Sequence, residues 1–225
     1  MTVLVVGSGK LANEILSTLR SLEITKAVSW SEMSSNKEED IVVVHAGSGR
    51  ELKSVFDFCR KHQRPLIELA TNTNIDMDHN DFPVVICPNT NILLLKFMAM
   101  LSKSGSSFLN YKKTLIESHQ STKTSAPGTA YSIAKSLHIE KGQVESVRDP
   151  VVQEKVLKIP QEYLSRHAYH KISIGDSNVN VTFETKVFGP APYAAGLAEI
   201  IGALTKRRLE NKVYDVLEFI EAGWI

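Results

Sequence analysis

The stretch Glu117-Ser118-His119-Gln120-Ser121-Thr122-Lys123-Thr124-Ser125-Ala126-Pro127-Gly128-Thr129-Ala130 sets an imidazole and an amine four residues apart. They stand just ahead of a Pro-Gly-Thr turn and a helical pattern. Imidazole titrates near neutral pH and suits proton transfer, and a lysine ammonium attracts anions and can release a proton. Leu115 and Ile116 lead in, and none of the polar residues that follow fits a core pattern. The stretch is therefore either a proton-handling site or a solvated loop. The elements around it have to decide.

Composition narrows the classes. At 225 residues the chain suits one large domain or two modest ones. Lys and Arg number 26 against 25 Asp and Glu, so no global field draws nucleic acid or an anionic membrane. The short basic run Lys206-Arg207-Arg208 lies on a helical pattern and reads as a solvated face. Two cysteines, Cys59 and Cys87, make neither a disulfide framework nor a zinc knuckle, which suits a reducing compartment. His62, His79, His138 and His167 lack metal-ligand spacing, so no metal is expected. Ser8 and Ser48 flank glycines without the pattern of a hydrolase nucleophile. Met1 leads straight into a strand-like run and the longest apolar run is Phe97 to Leu101, so the expectation is a cytoplasmic globular protein.

The first ninety residues alternate strand and helix signals. Val3 to Val6 is a continuous β-branched-rich run, as in a strand buried on both faces of a parallel sheet. A helical pattern follows with Leu11, Ile15, Leu19 and Leu22 on one face. Further strands are expected at Ala27–Trp30, Ile41–Val44, Pro65–Leu69 and Pro83–Ile86, with a helix from Arg50 to His62. The fold class is α/β, a Rossmann-type doubly wound parallel sheet. After about residue 90 come a helix from Asn91 to Met100, a strand at Thr114–Glu117 and a helix from Thr129 to Leu137. Strands at His170–Ile174 and Val179–Phe188 follow, then a small, apolar helix from Pro192 to Leu204. This half reads as an α+β domain with a mixed sheet. In Val179–Phe188, Val179, Val181, Phe183 and Thr185 face one way, leaving a side for solvent or a subunit.

Gly7-Ser8-Gly9, with Ala12 three residues on, lies between the first strand and helix. There glycine permits a tight turn and close approach of a pyrophosphate to the helix N-terminus. Many strand–Gly–helix turns bind nothing, and the βαβ setting is what favours a dinucleotide. Lys10 can approach a phosphate. The usual acidic residue for ribose hydroxyls is missing from Ser29-Trp30-Ser31, and Glu32 reads as either its substitute or a surface charge. NADH and NADPH both remain open as cofactor. His45, at the end of a strand, is either a cofactor contact or an ordinary loop residue, and Cys87 reads as a buried small hydrophobe.

The segment from Glu117 to Ala130 resembles the signature loop of 4-hydroxy-tetrahydrodipicolinate reductase, which runs roughly E-x-H-H-x-x-K-x-D-A-P-S-G-T-A. Supporting segments occur in the right order. They are the glycine turn, Pro65-Leu66-Ile67 before Ala70-Thr71, Pro88-Asn89 ahead of a helix, His170 in a strand, and Tyr193-Ala194 with Gly196. The resemblance implies a dinucleotide-binding domain over 1–90 and 191–225. It also implies a substrate-binding and oligomerisation domain over 91–190, assembling a homotetramer. By the same resemblance His119 and Lys123 are the acid/base and proton-donating residues. Gln120, Gly128 and Thr129 would hold a carboxylate of a cyclic imine dicarboxylate. Gly7, Ser8, Gly9, Lys10, Leu11, Leu69, Ala70, Thr71, Cys87, Pro88, Asn89 and Thr90 would line NADH or NADPH.

The chain departs from that pattern in specific places. Gln120 replaces the second histidine, Ser125 the aspartate before Ala-Pro, and one residue is deleted between Pro127 and Gly128. Leu69-Ala70-Thr71-Asn72 stands for Gly-Thr-Thr-Gly, His45-Ala46 for Asp-Phe, and Pro190 for an arginine. Lys171, Lys186 and Arg166 are candidates to replace the lost charge. Two functions are therefore expected. One is an NAD(P)H-dependent reductase of the diaminopimelate–lysine route. The other is a catalytically weak nucleotide-binding homologue with an assembly or regulatory role.

Overall fold

The computed structural model describes residues 1–32, 41–70, 81–189 and 193–225. It divides into two compact units, Met1–Leu95 with Pro192–Ile225, and Lys96–Ala191. Thr71, Asn72, His79 and Pro190 lie outside the described residues.

The first unit is built on a six-stranded parallel sheet. Its strands are β1 (Thr2–Val6), β2 (Lys26–Ser29), β3 (Ile41–His45), β4 (Leu66–Glu68), β5 (Val84–Ile86) and β10 (Val213–Asp215). They lie in the order β10-β5-β4-β3-β1-β2, every pairing parallel. β1 is buried on both faces because helices cover both. Val3 and Val5 pack on one side with Ile15 of α1 (Lys10–Thr18) and with Leu197, Ile200 and Ile201. The last three belong to α6 (Tyr193–Thr205), a late helix whose small residues let it sit in this core. Leu4 and Val6 pack on the other side with Val55 and Cys59 of α2 (Leu52–His62). The chain crosses β1 to β2 and then returns to β3 on the other side of β1, so β1 and β3 flank the switch point where such sheets bind ligands.

The second unit carries a mixed sheet. After α3 (Ile92–Ser104) come β6 (Lys112–His119), α4 (Gly128–Ser136), β7 (Val144–Val147), α5 (Pro150–Lys155), β8 (His167–Gly175) and β9 (Asn180–Phe188). The order is β7-β6-β8-β9, with β6 parallel to β7 and antiparallel to β8, and β8 antiparallel to β9. Phe183, Thr185 and Val187 form the half-buried face of β9, with Phe183 against Phe97 at 5.7 Å, whereas Val179 and Val181 are exposed.

The expected fold class holds, and the differences have local causes. Leu22 does not join the helical face, because α1 ends at Thr18 and Leu22 is fully exposed beyond it. His170 does not open a strand but lies inside β8, which starts at His167. β7, α5, β10 and the final α7 (Val216–Glu221) were not anticipated. Each has six residues or fewer, too short to show a period. α7 is fixed instead by a capping box, in which Asp215 accepts from Leu217 N and Glu218 Oε1 accepts from Asp215 N.

Candidate functional site

In the second unit, alternation along β6 buries Leu115 and Glu117. A carboxylate buried there has to be paired. His119 Nδ1 lies 2.7 Å from Glu117 Oε2, and Arg148 Nη2 donates to Oε1 at 2.6 Å. Burial alone would push Glu117 up. The hydrogen bonds from His119, Arg148 and Ser146 outweigh it and hold the carboxyl at about 2. An ionised carboxylate only accepts, so His119 carries its hydrogen on Nδ1 and keeps Nε2 for proton exchange. His119 is 16% exposed and Arg148 26%, so both reach solvent from a closed base.

Lys123 stands in the loop that leaves β6, where its Nζ donates to Ser125 Oγ at 2.7 Å. Partial burial and the Arg148 charge lower its pKa, against a smaller opposing pull from Glu117. The loop then enters α4 through Pro127, with no side chain capping the helix and no acidic residue in its first turn. Gly128 N donates to Ala126 O at 3.0 Å, and Gly128 and Thr129 are half-buried. Such an N-terminus favours an anion.

Two further histidines frame the cluster. His170 pairs with Glu117 across β6 and β8, is buried, and places Nδ1 2.9 Å from Thr185 Oγ1. Burial, helped by the nearby His119 and opposed by Glu117, pushes it down to about 4. It is therefore neutral at pH 7, with its ring centre 6.2 Å from that of His119. His167 Nδ1 donates to Tyr163 O at 3.0 Å, which leaves Nε2 to accept from Ser118 at 3.0 Å. Gln153 Nε2 donates to His119 O at 2.7 Å and also lies 3.2 Å from Val147 O, tying the end of β6 to the end of β7.

His119, Gln120, Lys123, Gly128 and Thr129 thus sit on one continuous segment, and the sheet adds Glu117, Arg148 and His170. Arg148 escaped the sequence reading because the register of β7 delivers it. Its only local signal is a charge just past a β-branched end. Of the residues expected to replace lost charge, Lys186 is paired with Glu184 at 2.8 Å.

In the first unit, Gly7 has φ +128°, and a Cβ there would meet Ala46 O at 2.7 Å, so the turn between β1 and α1 requires glycine. Gly9 caps α1 in an extended conformation with open space where a Cβ would stand. α1 has no side-chain cap and no acid in its first turn. That end fits a pyrophosphate. Ser8, Gly9 and Lys10 are exposed beside it, whereas Leu11 packs partly on the core.

The neighbouring strand ends are largely occupied by the protein itself. Leu69 N donates to His45 O at 2.9 Å, Ala70 N to Glu68 Oε1 at 2.7 Å, and Cys87 N to Glu68 O at 2.8 Å. Cys87 is buried with its thiol on Asn89 O, Pro88 is exposed, and Thr90 Oγ1 donates to Tyr193 O at 2.8 Å. His45 closes β3 with Nδ1 2.8 Å from both oxygens of Glu68. Both side chains are fully buried, and His45 Nε2 has no partner. An unsatisfied polar atom thus lies at the edge where β1 and β3 diverge.

No protein-family model matches the chain. A 4-hydroxy-tetrahydrodipicolinate reductase of Arabidopsis thaliana is 28% identical over 153 residues, 62% of this chain and 44% of that protein. A probable one from rice is 29% identical over 153 residues, 62% of this chain and 45% of that protein. The chain spans less than half the length of the curated relatives it matches. Among solved structures, dipicolinate-bound dihydrodipicolinate reductase from Paenisporosarcina sp. TG-14 superposes with a TM-score of 0.66 at 14% identity, over 96% of this chain and 98% of that one.

The sheet order and the glycine turn give the first unit a Rossmann-like parallel sheet, and the whole chain shares the fold of a solved dihydrodipicolinate reductase. By sequence it is a distant homologue of the 4-hydroxy-tetrahydrodipicolinate reductases over about 62% of its length.

Proposed function

We propose that the chain is an NAD(P)H-dependent reductase of a cyclic imine dicarboxylate. The reaction is the conversion of 4-hydroxy-tetrahydrodipicolinate to tetrahydrodipicolinate in diaminopimelate and lysine biosynthesis. The observation that carries this reading is the Glu117–His119–Arg148 arrangement, with Lys123 close enough to feel the charges of Arg148 and Glu117. Glu117 fixes the tautomer of His119, which leaves Nε2 to exchange a proton with the substrate or water. The 4-hydroxyl leaves as water together with a hydrogen of the neighbouring ring carbon, and hydride would add where the hydroxyl stood. Lys123, with a lowered pKa, holds a carboxylate as an ammonium and returns a proton to that neighbouring carbon, so the ring imine is kept. Arg148 supplies positive charge where the sequence lacks the second histidine and the arginine of the signature. The α4 N-terminus with Thr129 takes a carboxylate. Gly7 to Leu11, with Leu69 to Thr71 and Cys87 to Thr90, would hold a nicotinamide dinucleotide, which would supply the hydride when bound.

The proposal extends to self-association as a homotetramer through the second unit, in the cytoplasm. Exposed Val179 just before the edge strand β9, and exposed Val181 within it, support it. The solved relative binds dipicolinate, a planar dicarboxylate, and this chain should do the same. Calorimetric titration with dipicolinate in the presence of NADH tests the anion site. Arg148→Gln should weaken binding about ten- to hundredfold, the scale of a lost charge-assisted contact. Absence of binding at millimolar dipicolinate would remove the dicarboxylate reading.

A further inference from the structure

A cavity of about 490 Å³ opens at the edge of the six-stranded sheet opposite the glycine turn. Met1 precedes β1, Ile41 opens β3, and Pro65 and Pro83 precede β4 and β5, so the cavity lies at the N-terminal ends of the strands. The lining residue Met1 and the turn residue Gly7 bracket the extended strand β1, which separates them by about 20 Å at roughly 3.3 Å per residue. None of the residues implicated in nucleotide or substrate binding lines it. Its size is that of a small-molecule site.

The lining combines apolar side chains with two guanidinium groups. Ile41, Pro65, Pro83, Leu204 and Leu209 supply the apolar lining. Arg64 and Arg207 supply the charge. Arg207 is held in place, with Nη1 donating to Ala203 O at 3.1 Å and the guanidinium 4.9 Å from the Trp224 ring centre. Arg64 is not compensated. Its Nε is buried with no hydrogen-bond partner, and no carboxylate among the described residues pairs with it. The one acid in the lining, Glu23, is engaged by Lys206 at 3.4 Å and Ser21 at 3.1 Å. A buried guanidinium N–H without an acceptor is costly, and a planar fork beside apolar walls matches a carboxylate on an apolar body.

We propose that this cavity is a second ligand site, for a small organic carboxylate with an apolar body. The carboxylate accepts from Arg64 and Arg207 while the body covers the proline and leucine walls. The site is independent of the reductase reading, because no residue of either candidate cluster takes part.

Octanoate is the probe, titrated into the full chain by calorimetry, with 1-octanol and inorganic phosphate as the two half-ligands. Octanoate should bind one per chain, and neither half-ligand should match it. Arg64→Gln should weaken octanoate about ten- to hundredfold at unchanged melting temperature, and Arg64→Lys should fall between. Saturating NADH should not displace it. Equal binding by Arg64→Gln, equal binding of octanol or phosphate, displacement by NADH, or no binding at millimolar octanoate would each overturn the site.

Discussion

Replacing Glu117 by Gln tests the charge logic of the loop site through stability. The Glu117 carboxyl is held at about 2 against an ordinary value of 4.5. At about 1.4 kcal/mol per pH unit, that difference corresponds to about 3 kcal/mol of folding stability. Because the folded value is depressed, the contribution is fully present above pH 4.5 and is lost as the pH falls through 2. Glu117→Gln removes the ionisation while keeping shape and leaves Arg148 without its anion. The variant should therefore unfold about 3 kcal/mol more easily than the parent near pH 7. The gap should shrink progressively between pH 4.5 and 2. Urea unfolding at several pH values measures it. If the two stability curves run parallel across that window, Glu117 is not held ionised by His119 and Arg148, and the tautomer argument for His119 fails with it.

Thr129→Val should raise KM for the proposed substrate more than it lowers kcat, as expected when a ground-state carboxylate contact is lost, and steady-state kinetics separates the two. Gly196→Ala should destabilise the first unit by about 1–3 kcal/mol in thermal unfolding, because α6 presses Gly196 against the carbonyl of Thr90. Cys59 and Cys87 are buried, and burial pushes the Cys59 thiol up to about 12 and Cys87 higher still. Neither should react with a thiol reagent until denaturant is added.

The parts of the fold that showed in the sequence are those with a long period or a continuous buried run. Val3 to Val6 reads as a doubly covered strand because both faces are apolar, and α2 shows its buried stripe through Val55 and Cys59. Val213–Asp215 offers three residues, and only its pairing with β5 makes it the sixth strand. The loop site was legible where chemistry and chain coincide, from His119 to Thr129. Arg148 and His170 meet Glu117 through strand register, a property of two other strands that no local pattern encodes. The Lys123 ammonium is lowered first by partial burial and then by Arg148, a residue the sequence did not single out. His45 was visible as a strand end, but its buried partnership with Glu68 depends on β3 lying next to β4.

The central claim is that Lys123 and His119 move protons during reduction of a cyclic imine dicarboxylate. NAD(P)H oxidation with freshly generated 4-hydroxy-tetrahydrodipicolinate tests it most directly, comparing the parent chain with Lys123→Ala. The parent should turn over, and the variant should lose about 10²–10⁴-fold in kcat, the scale of a positioned acid or base, with NAD(P)H affinity unchanged. Undiminished turnover by Lys123→Ala, or none by the parent with both cofactors, would contradict it.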